Sequence, residues 1–143
     1  MNDIRNIAFI GAGNMTQSIV GGMCKSGYPA DKVWVSNPSD AKLEKMKSEL
    51  GVNTSNDNLE VVNNADAIVL SVKPQLMAEV CAHLRENVHN LTDKLIITIA
   101  AGIRIPKYRE YLGENIRIIR VMPNTPSLVG QGMSGLVTDN SVD

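Results

Sequence analysis

An apolar segment, Ile4 to Ile10, runs straight into Gly11-Ala12-Gly13. The residues after it, Asn14 to Ser26, place their apolar members at helical spacing (Met15, Ile19, Val20, Met23) until Gly27 stops them. A strand, a glycine turn and a helix in immediate succession leave few possible folds. Gly11 permits a tight turn, and Gly13 lets a bulky anion approach the backbone with no Cβ in the way. The free N–H groups of Asn14, Met15 and Thr16, backed by the helix dipole, then face the anion. A Gly-x-Gly pair alone is weak evidence. At the first strand-to-helix junction of an alternating chain it points to a dinucleotide pyrophosphate. The competing reading is a glycine turn with structural meaning only.

The alternation continues. Val33-Trp34-Val35 is a strand. Asn37 and Pro38 then open a helix to Leu50, as N-cap and first helical residue, and Gly51 ends it. Val52-Asn53-Thr54 makes a weak third strand, and Asn58 to Asn64 a short helix. Ala67 to Val72 is a strand without alternation, as expected for one buried on both faces. Pro74 starts a helix that runs to Val88. Leu95 to Ala100 is the fifth strand, Ile105 to Leu112 a helix closed by Gly113, and Ile116 to Val121 the sixth strand. A proline-rich loop follows, with one more strand around Ser134 to Thr138. This pattern predicts an α/β domain with a parallel sheet covered on both faces. Right-handed crossovers and a two-halves layout give the strand order 3-2-1-4-5-6, a doubly wound fold of Rossmann type. The domain is expected over residues 1–138, with 139–143 beginning a linker.

The second strand ends in Ser36-Asn37-Pro38-Ser39. An acidic residue there would accept hydrogen bonds from a ribose diol and repel a 2′-phosphate. Ser36, Asn37 and Ser39 instead offer donors without negative charge, at a helix start that favours an anion. The turn therefore suits the 2′-phosphate of NADP(H). It holds no Arg for a bidentate clamp, so NAD(H) stays open as a second cofactor. Read as a plain helix cap, Ser36-Asn37 fits either.

Composition excludes several classes. A chain of 143 residues, 43% hydrophobic and 20% charged, is long enough to bury the core of one soluble domain. Its net charge of −1 offers neither a nucleic-acid footprint nor a polybasic membrane patch. The longest mainly apolar run, Leu95 to Ile103, is too short to cross a bilayer. The polar start "MNDIRN" is not a secretory signal. Cys24 and Cys81 lack metal-ligand spacing and read as reduced thiols packed in helices of a cytoplasmic protein. His83 and His89, on one polar stretch, read as surface residues rather than ligands or bases.

Four stretches, "FIGAGNMTQSI", "VKPQ", "AAGI" and "IRVMPNTPSLVGQG", together resemble pyrroline-5-carboxylate reductase, the last being the most specific. The resemblance spans essentially the whole chain. It implies reduction of 1-pyrroline-5-carboxylate, a small-molecule imine, to L-proline with NAD(P)H, the last step of proline biosynthesis. It further implies cofactor contacts at Ile10, Gly11, Ala12, Gly13, Asn14 and Met15, at Ser36, and at Asn58 near the adenosine ribose. Ser71, Val72, Lys73 and Pro74 follow the fourth strand, and Ile99, Ala100 and Ala101 end the fifth. Thr16 and Ser71 stand where the family commonly has alanine.

The residues themselves agree with this placement, because ligands of open α/β sheets sit beyond the carboxyl ends of the strands. Lys73 leaves the fourth strand there. Two roles are open for it: a charge near the phosphates or substrate carboxylate, or a solvated side chain with only a backbone contact. Ala100 and Ala101 leave space for the nicotinamide half. Asn124 and Thr125, stiffened by Pro123 and Pro126, can hydrogen-bond a carboxamide or the substrate. In the family, a helical domain follows this one, forms the homo-oligomer and supplies much of the substrate pocket. The resemblance implies that this domain is absent from the chain, so no catalytic acid or base is assigned and the isolated chain is expected to be inactive. Two alternatives remain: another NADP-linked reductase, such as a β-hydroxyacid dehydrogenase, and a non-catalytic dinucleotide-binding module.

Overall fold

A computed structural model describes residues 5–99, 102–121 and 136–138. The chain alternates β1 (Ile7–Ile10), α1 (Asn14–Lys25), β2 (Val33–Ser36), α2 (Asp40–Leu50), β3 (Asn53–Ser55), α3 (Asn58–Asn63), β4 (Ala67–Leu70) and α4 (Pro74–Asn87). It continues with β5 (Leu95–Thr98), α5 (Ile105–Leu112), β6 (Arg117–Val121) and β7 (Leu136–Thr138). The sheet order is β3-β2-β1-β4-β5-β6-β7. The first six strands pair in parallel, in the order expected from the sequence, and β7 closes the edge antiparallel to β6.

The period of two along each strand builds two cores. Ala8, Ile10, Ile68, Leu70, Ile96 and Ile118 point to one face, where Val61 and Val62 of α3, Met77, Cys81 and Leu84 of α4, and Tyr108 of α5 cover them. Phe9, Val35, Val69, Ile97 and Ile119 point to the other, against Ile19 and Val20 of α1 and Leu43 and Met46 of α2. Both faces are dry, which is why β4 carries four apolar residues in a row, all buried. Tyr108 is fully buried with a polar head. Its phenol lies 2.6 Å from the Thr98 hydroxyl, so the group has its partner.

The helix ends follow local chemistry in most places. Pro74 and Pro106 fall in the first turns of α4 and α5. Gly51 ends α2 in a left-handed conformation at φ 78°. Asp57 caps α3 by accepting from the Leu59 N–H.

The start of α2 departs from expectation. The helix begins at Asp40 with Ser39 as its N-cap, rather than at Pro38 after an Asn37 cap. Asn37 is otherwise engaged: its Oδ1 accepts from the Ala12 N–H at 3.1 Å, and its Nδ2 donates to the Ser39 carbonyl. A residue holding the glycine loop from across 25 positions of sequence cannot also cap its own helix. Strands 4 and 5 stop at Leu70 and Thr98, earlier than read, with one further ladder bond each from the Ser71 and Ile99 N–H groups. The expected linker, 139–143, lies outside the described residues. Among those described, no helix is long and apolar enough to cross a membrane.

Candidate functional site

Strand register brings three turns together. Ile10 pairs with Ser36 on one side and with Leu70 on the other. The turns after β1, β2 and β4 therefore leave the sheet side by side, where β1 separates the two halves of the strand order. Open α/β sheets form their binding crevice at such a point. Here it is a cleft of about 470 Å³.

Ten of the expected cofactor residues line this cleft: Ile10, Gly11, Ala12, Gly13, Ser36, Asn37, Asn58, Ser71, Val72 and Lys73. Asn14 and Met15 are exposed at the first turn of α1, beside the cleft rather than in its wall. Ser39 and Pro74 start their helices outside the lining, and Ile99 packs against the apolar core. Ala100, Ala101, Asn124 and Thr125 lie outside the described residues. A second, wider depression of about 680 Å³, between Gly102, Arg104, Ile105, Pro106 and Arg120, contains none of the expected cofactor residues.

The two glycines of the loop are glycine for different reasons. Gly11 has φ 106°, and a Cβ there would meet the Ser71 carbonyl oxygen at 3.0 Å. The fold itself requires it. Gly13 has φ −75° and ψ −176°, a conformation open to any residue, and a Cβ there would meet nothing within 4 Å. The space in front of Gly13 is open, at the N-terminus of a twelve-residue helix with no acidic residue in its first turn and no side-chain cap. The first N–H groups of α1 have no intrahelical acceptors. By contrast, the Gly11 and Ala12 N–H groups are used in the loop, donating to the Ser36 carbonyl at 2.8 Å and to Asn37 Oδ1. An anion is the ligand such an unneutralised helix start accepts. The cradle fits a pyrophosphate.

The end of β2 is built differently from the sequence reading. Ser36 is fully buried, and its hydroxyl donates to Asn58 Oδ1 at 2.6 Å. The bond joins β2 to the start of α3 and leaves the Asn58 amide N–H groups as donors at the cleft. Asn37 is held within the loop at both ends of its amide. Asp40 accepts from Asn56 Nδ2 at 2.8 Å, so its carboxylate is tied away in the neighbouring turn. Two of the three uncharged donors expected to reach a phosphate, Ser36 and Asn37, thus serve largely to shape the turn, while the exposed Ser39 hydroxyl makes no cap bond to α2.

Five lining residues were not among the expected contacts: Pro38, Lys42, Leu76, Glu79 and Val80. The last three stand at spacings of three and four along α4, one turn beyond Lys73, and form one wall. Helical phase carried on from Pro74 is the signal that would have found them. Leu76 is 46% exposed, a large apolar side chain left open at the cleft. Pro38 and Lys42 stand on the opposite side, in the turn before α2 and in its first turn. Among the described residues no group of three or more His, Cys, Asp or Glu side chains could hold a metal ion.

The chain is similar to known proteins along most of its length. The chain is 46% identical over 132 residues to the pyrroline-5-carboxylate reductase of Vibrio alginolyticus, covering 92% of this chain and 48% of that protein. Among solved structures, a pyrroline-5-carboxylate reductase from Coxiella burnetii superimposes with a TM-score of 0.87 at 38% identity, over 99% of this chain and 52% of that one. The pyrroline carboxylate reductase of Plasmodium falciparum, solved with NADP bound, superimposes with a TM-score of 0.80 at 28% identity, over 100% of this chain and 51% of that one. The chain spans about half the length of the curated relatives it matches. The family described as NADP oxidoreductase, coenzyme F420-dependent, matches residues 6–102, more than half of the chain, and to that family the chain belongs.

Proposed function

We propose that this chain forms the cofactor-binding part of an NADP(H)-dependent reductase that converts 1-pyrroline-5-carboxylate to L-proline. The observation that carries the cofactor half of this reading is Gly13, whose missing Cβ serves no packing need and faces open space before an unneutralised helix start. Its relatives support the substrate half: the chain is similar along nearly all its length to proteins named for that reaction. NADPH, when bound, supplies the hydride. The chain's residues bind and orient. The first turn of α1 holds the pyrophosphate, the Ser36–Asn58 pair holds the adenosine ribose, and Leu76 and Val80 shield the adenine side from water. NAD(H) would use the same pyrophosphate and ribose contacts. A protonated imine is already electrophilic, so this part of the reductase needs no acid or base and contributes position. The reading includes a cytoplasmic, homo-oligomeric enzyme, in keeping with two unpaired thiols.

Gly13→Val tests it. The backbone conformation at this position suits valine, so the variant should fold and unfold like the parent. Titration calorimetry with NADPH should show affinity reduced by roughly tenfold or more, as the branched side chain enters the pyrophosphate path. Undiminished affinity in a folded variant would remove the glycine loop from the site. In the full-length protein, NADPH consumed with 1-pyrroline-5-carboxylate, against NADPH formed from NADP+ with 3-hydroxyisobutyrate, tests the substrate.

A further inference from the structure

We propose that Lys42 is the residue that selects NADP(H) over NAD(H), by holding the 2′-phosphate of the adenosine ribose. The inference rests on the cleft being the dinucleotide site and goes beyond it by naming the charge that reads the phosphate. Two of the three uncharged donors at the end of β2 are engaged, and the third, the exposed Ser39 hydroxyl, carries no charge to discriminate a phosphate from a ribose hydroxyl. The Ser36 hydroxyl is buried and donates to Asn58, and the Asn37 amide is bonded at both ends inside the turn. Lys42 lines the same cleft as Ser36, Asn37 and Pro38, from the first turn of α2. It precedes Leu43, which α2 buries against the sheet, so it stands at the helix edge with an exposed side chain.

Among the described residues no carboxylate forms an ion pair with Lys42, and Glu79, which lines the same cleft from α4, does not pair with it. The positions three and four residues away on the helix and its entry are Pro38, Ser39, Lys45 and Met46, none acidic. Asp40 is bonded to Asn56 instead. A phosphate monoester carries a charge of about −1.5 to −2 near neutral pH. An ammonium beside it needs no fork geometry to attract it, whereas a ribose hydroxyl gains little from the same charge. That asymmetry is what a specificity residue requires.

The test is a binding experiment on the 143-residue chain, using 2′,5′-ADP and 5′-AMP beside NADPH and NADH. Lys42→Gln should weaken 2′,5′-ADP and NADPH by roughly tenfold, the loss expected for one hydrogen bond to a charged group. AMP and NADH should change by less than about twofold. Lys42→Arg should retain the preference. Lys45→Gln, a lysine of the same helix outside the cleft lining, should leave all four affinities in place. The preference of the parent for 2′,5′-ADP should shrink below about pH 6, where the phosphate takes up its second proton. If the parent binds both cofactors but Lys42→Gln lowers both alike, or neither, Lys42 does not read the phosphate although the cleft is a dinucleotide site. If the parent binds none of the four, the reading of the cleft falls, and this inference with it.

Discussion

The Thr16 hydroxyl donates to the carbonyl of Gly11 at 2.7 Å, within the buried interior. The third position of a dinucleotide glycine motif usually holds glycine or alanine, for close packing of helix on strand. Here the side chain does more than fit. It reaches back five residues and satisfies an oxygen of the tight turn, locking the glycine loop onto the first turn of α1. Thr16→Val keeps the shape and removes the donor. An unsatisfied buried carbonyl costs about 1–3 kcal/mol, and urea denaturation should show a loss in that range. Equal midpoints for parent and variant would mean that the bond contributes nothing.

Ser71 presents the opposite case. Its hydroxyl is buried and has no hydrogen-bond partner among the described residues. The carbonyl of the same residue sits against Gly11, so the backbone there has little room to turn the side chain toward one. Ser71→Ala removes a polar atom that burial penalises, and should raise stability by roughly 1 kcal/mol. A lower melting temperature in the alanine variant would show that the hydroxyl has a partner in solution.

These two residues mark where local reading stops. The strand order followed from alternation and chain-connection rules, and the end of α5 from Gly113, because those signals are local and nothing distant competes with them. Gly11 and Gly13 were placed for the same reason. Asn37 misled because Asn-Pro has the form of a cap and first turn, while its amide is claimed by Ala12 in the turn after the neighbouring strand. Ser36 was placed in the site, but its burial and its bond to Asn58 depend on α3 arriving beside β2. Lys42 was invisible for a related reason. A lysine next to a buried leucine lies at a helix edge, yet which turn that edge overlooks is decided by how α2 packs on the sheet.

Ser36→Asp should lower the ratio of NADP(H) to NAD(H) affinity. The carboxylate would sit at the end of β2, facing Asn58, whose amide can turn its N–H groups toward it. The new charge accepts from a ribose diol and repels a 2′-phosphate. A fall of roughly tenfold or more is expected, comparable to losing one charged hydrogen bond. Parallel calorimetric titrations of the two cofactors measure it. A constant ratio would place the phosphate away from the end of β2, and with it away from Lys42.

Burial of Cys81 under α4 pushes its thiol from 9.0 up to about 12. Burial also raises the Tyr108 phenol above its ordinary 10.0. Both groups are neutral when protonated, and the fold prefers that form. Below pH 9 the folded and unfolded chains both hold the Cys81 proton, and its contribution to stability is fully present. As pH rises toward 12 the unfolded thiol ionises first, and stability falls by at most about 1.4 kcal/mol per pH unit for this one group. Tyr108 adds to the fall once pH passes its unfolded value. The chain should therefore lose stability steadily between about pH 9 and pH 11. Cys81→Ala, although destabilised by its smaller side chain, should show a shallower dependence, because the variant has one fewer proton to keep. The same burial makes Cys81 unreactive toward an aromatic disulfide reagent in the folded chain, while the half-buried Cys24 reacts first. Urea midpoints against pH for both proteins, with thiol labelling of the parent, check the two halves. Parallel pH slopes, or labelling of both thiols at one rate, would show that α4 does not hold Cys81 out of water.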